Sequence, residues 1–261
     1  MCYDTLSLTE RSLTYAQRIG YSDATIAEIQ QSIDQLQAQQ GPYYHVSGFA
    51  HPSLPVVRSL ETPQVELMQW GLIPPWVKTR EQAEKIWNKT LNARGETLFE
   101  KPAFRVSARR HRCLILVDGF YEHHHLSGRT YPFLIRHYRG QPLLLAGVYS
   151  TWTDPESKRA RHTFSIVTTQ ANELLQHIHN NPKMNGPRMP VILPPGEEYT
   201  WLEASPQEID PAWQRPFPTA QLTAHPVSRL RGKNAVGNQP QALKPAEYPE
   251  LQLMLAGLPT A

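Results

Sequence analysis

Two hydrophobic rhythms divide the chain. Over 23–40 the apolar positions Ile26, Ile29, Ile33 and Leu36 recur at spacings of three and four, which predicts an amphipathic helix. Asp23 caps its start and Gly41-Pro42 stops it. A second helix is expected over 6–19. Beyond Pro42 the pattern shortens to runs rich in β-branched, aromatic and aliphatic residues at 65–70, 113–117, 131–136, 143–149 and 164–168, separated by turn residues. These read as strands. Gly128-Arg129, between Tyr121 and Phe133, suits a hairpin turn. Shorter helices are expected over 81–87, 171–179 and 196–203. Residues 232–247 are polar, hold two prolines and read as a long loop before a short C-terminal segment. The pattern describes one α+β domain over 1–261, mostly antiparallel, with its strands in meander order.

Composition narrows the class. Apolar residues make up 40% of the 261 residues, enough for a sizeable core, and the 24 prolines favour turns over long helices. The longest apolar runs, 113–117 and 143–148, fall far short of the roughly 18 residues of a membrane span. Asp4 and Glu10 leave no secretory signal at the start, so an intracellular protein is expected. Two cysteines exclude a disulfide framework and a Cys-rich zinc site. Cys113 opens an apolar strand and reads as packing. The net charge is only +3, so a nucleic-acid footprint would be a local patch. Arg105, Arg109, Arg110 and Arg112 form one basic cluster, Lys158, Arg159 and Arg161 a second, and Arg229, Arg231 and Lys233 a third; each also reads as solvated loop charge.

Several residues carry chemistry. Cys2 follows Met1, which is commonly removed before a small residue. An N-terminal cysteine has a thiol and an α-amine two carbons apart, and that amine has a pKa of about 7.7–8.0 against about 10.4 for lysine. A neutral fraction can attack an aldehyde, and the thiol can close on the imine carbon to give a thiazolidine. The alternative is an incidental second residue. Trp70-Gly-Leu-Ile-Pro-Pro-Trp76 makes either a platform for unpaired bases or two core tryptophans. Asn92 and Arg94 share one face of an extended segment, suited to a phosphate-flanked site or to a salt bridge. Glu122 follows an apolar strand ending in Asp118-Gly119, which suits a proton carrier of raised pKa, a hairpin acid or a buried ion pair. His123, His124 and His125 cannot all reach one metal ion, because strand neighbours point to opposite faces. His177 and His179 end an expected helix, as proton shuttle or dipole partner.

Taken in order, the motifs resemble the SRAP family, the SOS-response-associated peptidases that process abasic sites in DNA. They are Met-Cys, Trp-Gly-Leu-Ile-Pro-x-Trp from Trp70, Asn-Ala-Arg-x-Glu-Thr from Asn92, Lys-Pro-Ala-Phe-Arg from Lys101, and Arg-Cys-Leu-Ile-x-x-Asp-Gly-Phe-Tyr-Glu from Arg112 to Glu122. Ala-Gly-Val-Tyr, Thr-Thr-x-Ala-Asn, Ile178-His179, Arg188-Met-Pro-Val-Ile-Leu and Pro-Val-Ser complete the set. The resemblance covers 2–228, leaving 229–261 as a loop and C-terminal segment. It implies an α+β fold with a barrel-like, mainly antiparallel sheet and flanking helices.

The same resemblance implies a sensor of abasic sites in single-stranded DNA that crosslinks through Cys2, with no cofactor and no metal. Asn92 would orient the amine and the sugar, Glu122 would shuttle protons, and His179 would help ring opening and reversal. Trp70, Arg94 and Arg188 are the implied DNA-binding residues. It further implies lyase activity, minor self-processing at Met1, a monomeric state, association with the replication machinery, and a cytoplasmic location that is nucleoid-associated when DNA-bound.

The chain departs from the family pattern at four points. It reads Met-Cys-Tyr-Asp where members read Met-Cys-Gly-Arg, so Asp4 would repel phosphate. His123 replaces a Trp. Residues 10–40 form a longer helical insertion. Residues 180–187 separate His179 from Arg188, where members have one residue, and this makes His177 a rival to His179. Two other readings remain: an N-terminal-nucleophile cysteine amidohydrolase or peptidase, with Asn92 as oxyanion contact, and a non-catalytic single-strand binder using Trp70, Trp76 and the arginines.

Overall fold

Five strands close into a ring in the computed structural model. They are β3 (Ser53–Val57), β4 (Val65–Trp70), β6 (Arg112–Val117), β9 (Leu143–Thr153) and β10 (Ala160–Gln170). The pairings run β10-β4-β3-β6-β9, and β9 pairs back onto β10. All are antiparallel except β4 with β10. Closure satisfies the edge amides of each strand, so no open edge remains on the ring itself. Two short strands, β5 (Asn92–Arg94) and β11 (Arg188–Pro190), attach to β10. The structure describes residues 2–7, 41–59, 65–205, 208 and 211–258, with single positions at 27, 31, 34, 35 and 38. Of the helix expected over 23–40, Ala27, Gln31, Asp34, Gln35 and Ala38 are described and helical; its other positions, and the helix expected over 6–19 beyond position 7, lie outside the described residues.

A second sheet of five strands lies in the order β12-β8-β7-β1-β2, with β1 at Asp4–Ser7, β2 at Tyr43–Ser47, β7 at Gly119–Leu126, β8 at Arg129–His137 and β12 at Leu222–Pro226. The α+β class and the barrel-like antiparallel architecture hold, but the meander order does not. β7–β8 and β9–β10 are local hairpins, whereas β6 crosses to β3 and β1 inserts between β2 and β7. Leu6 and Ser7, expected to open a helix, are strand, because pairing of Leu6 with Gly119 and Ser7 with Tyr43 outweighs local propensity. The β7–β8 turn is Ser127-Gly128, with φ of 49° and 75°, the positive pair that a two-residue turn of matching twist requires.

The largest core cluster joins Trp70, Phe120, Phe133 and Phe164, and it includes both Cys2 and Cys113 at 0% exposure. The helices that matter for the site are α1 (Arg80–Trp87), α2 (Arg105–Arg110) and α3 (Glu173–Ile178). Asn172 caps α3: its side chain accepts from the Leu175 amide at 2.9 Å and donates to the Phe217 carbonyl at 2.7 Å. Such a cap is worth about 1 kcal/mol. It fixes the start of α3, whose other end carries His179 as the C-cap. Among the described residues no helix is long and apolar enough to cross a membrane.

Candidate active site

Strand β1 delivers the chain start to β7. Asp4 pairs with Tyr121 and Thr5 with Phe120, so the antiparallel register brings residues 2 and 3 alongside 122 and 123. On the ring side, β5 runs parallel to β10 with Asn92 opposite Ile166. Ala93 points into the core, which turns Asn92 and Arg94 to the other face. The Asn92 side-chain amide donates to the Cys2 carbonyl at 2.8 Å. Its carbonyl oxygen is buried and has no hydrogen-bond partner among the described residues.

Glu122 is buried on β7 and His179 is buried at the end of α3. His179 Nδ1 lies 3.8 Å from a Glu122 carboxylate oxygen, 2.9 Å from the Arg188 carbonyl and 3.2 Å from the Arg188 amide. Both groups line a cavity of about 250 Å³ with Tyr3, Asp4, Phe49 and Met184. Cys2, Asn92, Glu122 and His179 therefore converge. His177 does not join them: its side chain is exposed, and its carbonyl accepts from His124 Nδ1 at 3.0 Å.

Burial governs the electrostatics. It lifts the Glu122 carboxyl to about 7, with the Asp4 carboxylate adding to the effect. It pushes the Cys2 thiol well above its ordinary range, with Glu122 and Asp4 again pushing the same way. It lowers His179 to about 4, so the imidazole is neutral at pH 7. The expectation that the helix dipole would favour a charged His179 is overturned, because a six-residue helix cannot offset the removal of the ring from water. Asp4 is also inside. Although burial acts against it, His45 Nε2 at 3.0 Å and Arg231 Nη2 at 2.6 Å hold its carboxyl below the usual range. It therefore presents its charge to Arg231 and not to a passing strand.

Two residues expected at the DNA surface sit elsewhere. Trp70 is 0% exposed, donates its indole N–H to the Leu91 carbonyl at 2.8 Å and stacks on Phe164 with centroids 6.2 Å apart. A Cβ on Gly48 would come within 3.0 Å of its ring, so the backbone there closes the indole face. Arg188 is buried; it holds both Glu96 oxygens, at 2.9 and 2.8 Å, and donates to the Thr168 carbonyl at 2.8 Å. That leaves Arg94 as the exposed guanidinium of this face. Trp76, at 50% exposure, is the surface tryptophan of its motif. The sequence reading missed Phe49, which is 48% exposed and packs on Tyr3 with centroids 5.0 Å apart at the cavity mouth. It also missed the partners of Asp4. The 180–187 segment folds back on β7, where Asn180 pairs with both backbone groups of His125 at 2.6 and 2.9 Å.

Comparison with known proteins identifies the family. The profile of the family described as SOS response associated peptidase (SRAP) matches residues 7–234. The chain is 37% identical over 195 residues to the abasic site processing protein YoqW of Bacillus subtilis, covering 72% of this chain and 81% of that one. It is 30% identical over 201 residues to the abasic site processing protein HMCES of Gallus gallus, covering 69% of this chain and 57% of the other. A crystal structure of a protein from Bacteroides thetaiotaomicron superposes with a TM-score of 0.79 at 31% identity, covering 94% of this chain and all of that one.

Proposed function

The chain belongs to the SOS response associated peptidase family, and on that premise we propose that it captures abasic sites in single-stranded DNA as a thiazolidine on Cys2 once Met1 has been removed. The observation that carries this reading is the convergence of Cys2, Asn92, Glu122 and His179, with the Cys2 carbonyl tied down by Asn92. Relatives named abasic site processing proteins supply the substrate class.

The ring-closed deoxyribose must first open. A proton leaves the anomeric hydroxyl and one is given to the ring oxygen. Glu122, poised near neutrality, holds a proton to give, and neutral His179 can take one. The α-amine of Cys2 then adds to the C1′ aldehyde: a proton from the amine restores Glu122 and His179 returns its proton to the new hydroxyl, after which Glu122 protonates that hydroxyl as it leaves as water and takes back the proton of the iminium nitrogen. The Cys2 sulfur adds to the imine carbon, and the thiol proton ends on the imine nitrogen. One water is lost overall. The unpartnered carbonyl oxygen of Asn92 can accept from the amine and aim its lone pair. Each proton-transfer group is worth on the order of 10²–10⁴ in rate.

The amidohydrolase reading needs a thiolate, and burial together with two nearby carboxylates acts against ionisation of Cys2. An imine-first route requires only a neutral amine. Incubation of Met1-processed protein with abasic single-stranded DNA should give a gel shift that survives denaturation, with the mass of protein plus DNA less one water. Release of amide products without such a shift would move the assignment to the amidohydrolase. A salt-sensitive, non-covalent shift alone would leave only single-strand binding.

A further inference from the structure

A second cavity of about 360 Å³ adjoins the first, and the two share His123 and Arg231 as a common wall. Its other lining includes Arg129 and Arg229. Three guanidinium groups thus border a space next to the reaction cavity. Arg231 is held through one nitrogen by Asp4, and its side chain is 52% exposed, so the rest of its fork stays in the opening. Arg129 approaches Glu250 only at 3.5 Å with its side chain 69% exposed. Among the described residues Arg229 makes no ion pair. The arginines are not on a loose loop. Leu230 between them is buried with Tyr121 and Leu134, and the Arg229 carbonyl accepts from the Val236 amide at 3.0 Å. Burial holds the His123 pKa at about 4, so this side chain adds no charge to the shared wall at pH 7.

We propose that this second cavity is a phosphodiester subsite that takes the backbone of the DNA strand on one side of the lesion, with Arg229 and Arg129 as its phosphate contacts and Asp4 as the residue that positions Arg231 between the two cavities. This rests on the reading of the first cavity as the lesion site. Planar guanidinium forks pair bidentately with phosphate, and an anchored arginine loses little entropy in doing so.

The test uses fluorescence anisotropy with lesion-free single-stranded DNA across a salt series. Arg229→Ala and Arg129→Ala are surface changes, and each should weaken binding several-fold and lower the salt slope by about 0.7, the value of one single-strand phosphate contact. Wild-type affinity and slope in both would overturn the subsite. Crosslinking is then timed on two oligonucleotides, one with the abasic site at its 5′ end and one at its 3′ end. Arg229→Ala should slow only the substrate whose remaining strand crosses the second cavity. Equal slowing of both, or of neither, would also overturn it. A wild-type protein that crosslinks neither substrate defeats the lesion-site reading, and the anisotropy arm still judges the subsite alone.

Discussion

The side-chain amide of Asn92 donates to the carbonyl oxygen of Cys2 at 2.8 Å, joining residues 90 positions apart. The contact sets the direction of the chain start and places an amide oxygen where an N-terminal amine could donate to it. Asn92→Ala should leave the fold intact, because the side chain is only partly buried. It should slow crosslinking by about 10²-fold, the cost of losing ångström-level positioning at a reacting centre. Single-turnover gels measure this, and a wild-type rate would reduce the contact to simple bracing.

The two cysteines are equally buried and should differ completely in function. Cys2→Ser keeps the amine and loses the ring-closing sulfur, so at most a labile imine should form, trapped by borohydride and lost on heating. Cys113→Ser should crosslink normally, since Cys113 lies within the core on β6. Protein that keeps Met1 should be inert, because its residue-2 nitrogen is an amide. Intact mass separates the processed and unprocessed species. Full-rate crosslinking by the species that keeps Met1 would rule out thiazolidine chemistry.

His179→Ala should slow both ring opening and crosslink reversal, whereas His177→Ala should match wild type. The distinction is geometric: His179 Nδ1 reaches within 3.8 Å of Glu122, and the His177 ring is at the surface. A defect confined to His177→Ala would reverse the assignment.

The two aromatic positions should separate stability from binding. Trp70→Ala removes a fully buried indole and its hydrogen bond to Leu91, at a cost of about 3–5 kcal/mol of stability. Phe49→Ala should leave the melting temperature nearly unchanged and weaken single-strand binding by roughly 1–3 kcal/mol if a base stacks at the cavity mouth. Unfolding curves and anisotropy on the two variants check both halves.

These contrasts show what was readable before the fold was known. The runs at 65–70 and 143–149 appear as strands because β-branched and aliphatic runs bounded by turns have few other uses. The motif order marked Cys2, Asn92, Glu122 and His179, which converge in space. Asp4–Ser7 was illegible as a strand because its pairing partners on β2 and β7 are far away in sequence. The exposure of Trp70 was illegible because both a platform and a core tryptophan give the same string, and only the approach of Gly48 and Phe164 decides. The charge of His179 depended on depth of burial, which helix position alone does not report. Phe49 had no local signal, since it stands in a short 3₁₀ turn of ordinary composition.

Glu122 and His179 should impose opposite pH dependences on stability. The folded pKa of Glu122 is raised to about 7 from an ordinary value of 4.5. The folded state therefore holds a proton the unfolded chain has lost, and the stability it contributes, full below pH 4.5, drains away as pH rises to 7. The folded pKa of His179 is lowered to about 4 from 6.5. Its contribution is full above pH 6.5 and drains away as pH falls to 4. Each shift corresponds to something on the order of 3 kcal/mol, so in the wild-type protein the two slopes largely cancel between pH 4.5 and 6.5. Single variants should uncover them. Glu122→Gln, which keeps the shape and removes the titration, should gain stability as pH rises from 4 to 6.5. His179→Gln should lose stability as pH rises from 4.5 to 7. Thermal unfolding at closely spaced pH values measures both, and parallel profiles for the two variants would show that these side chains do not titrate against each other inside the folded protein.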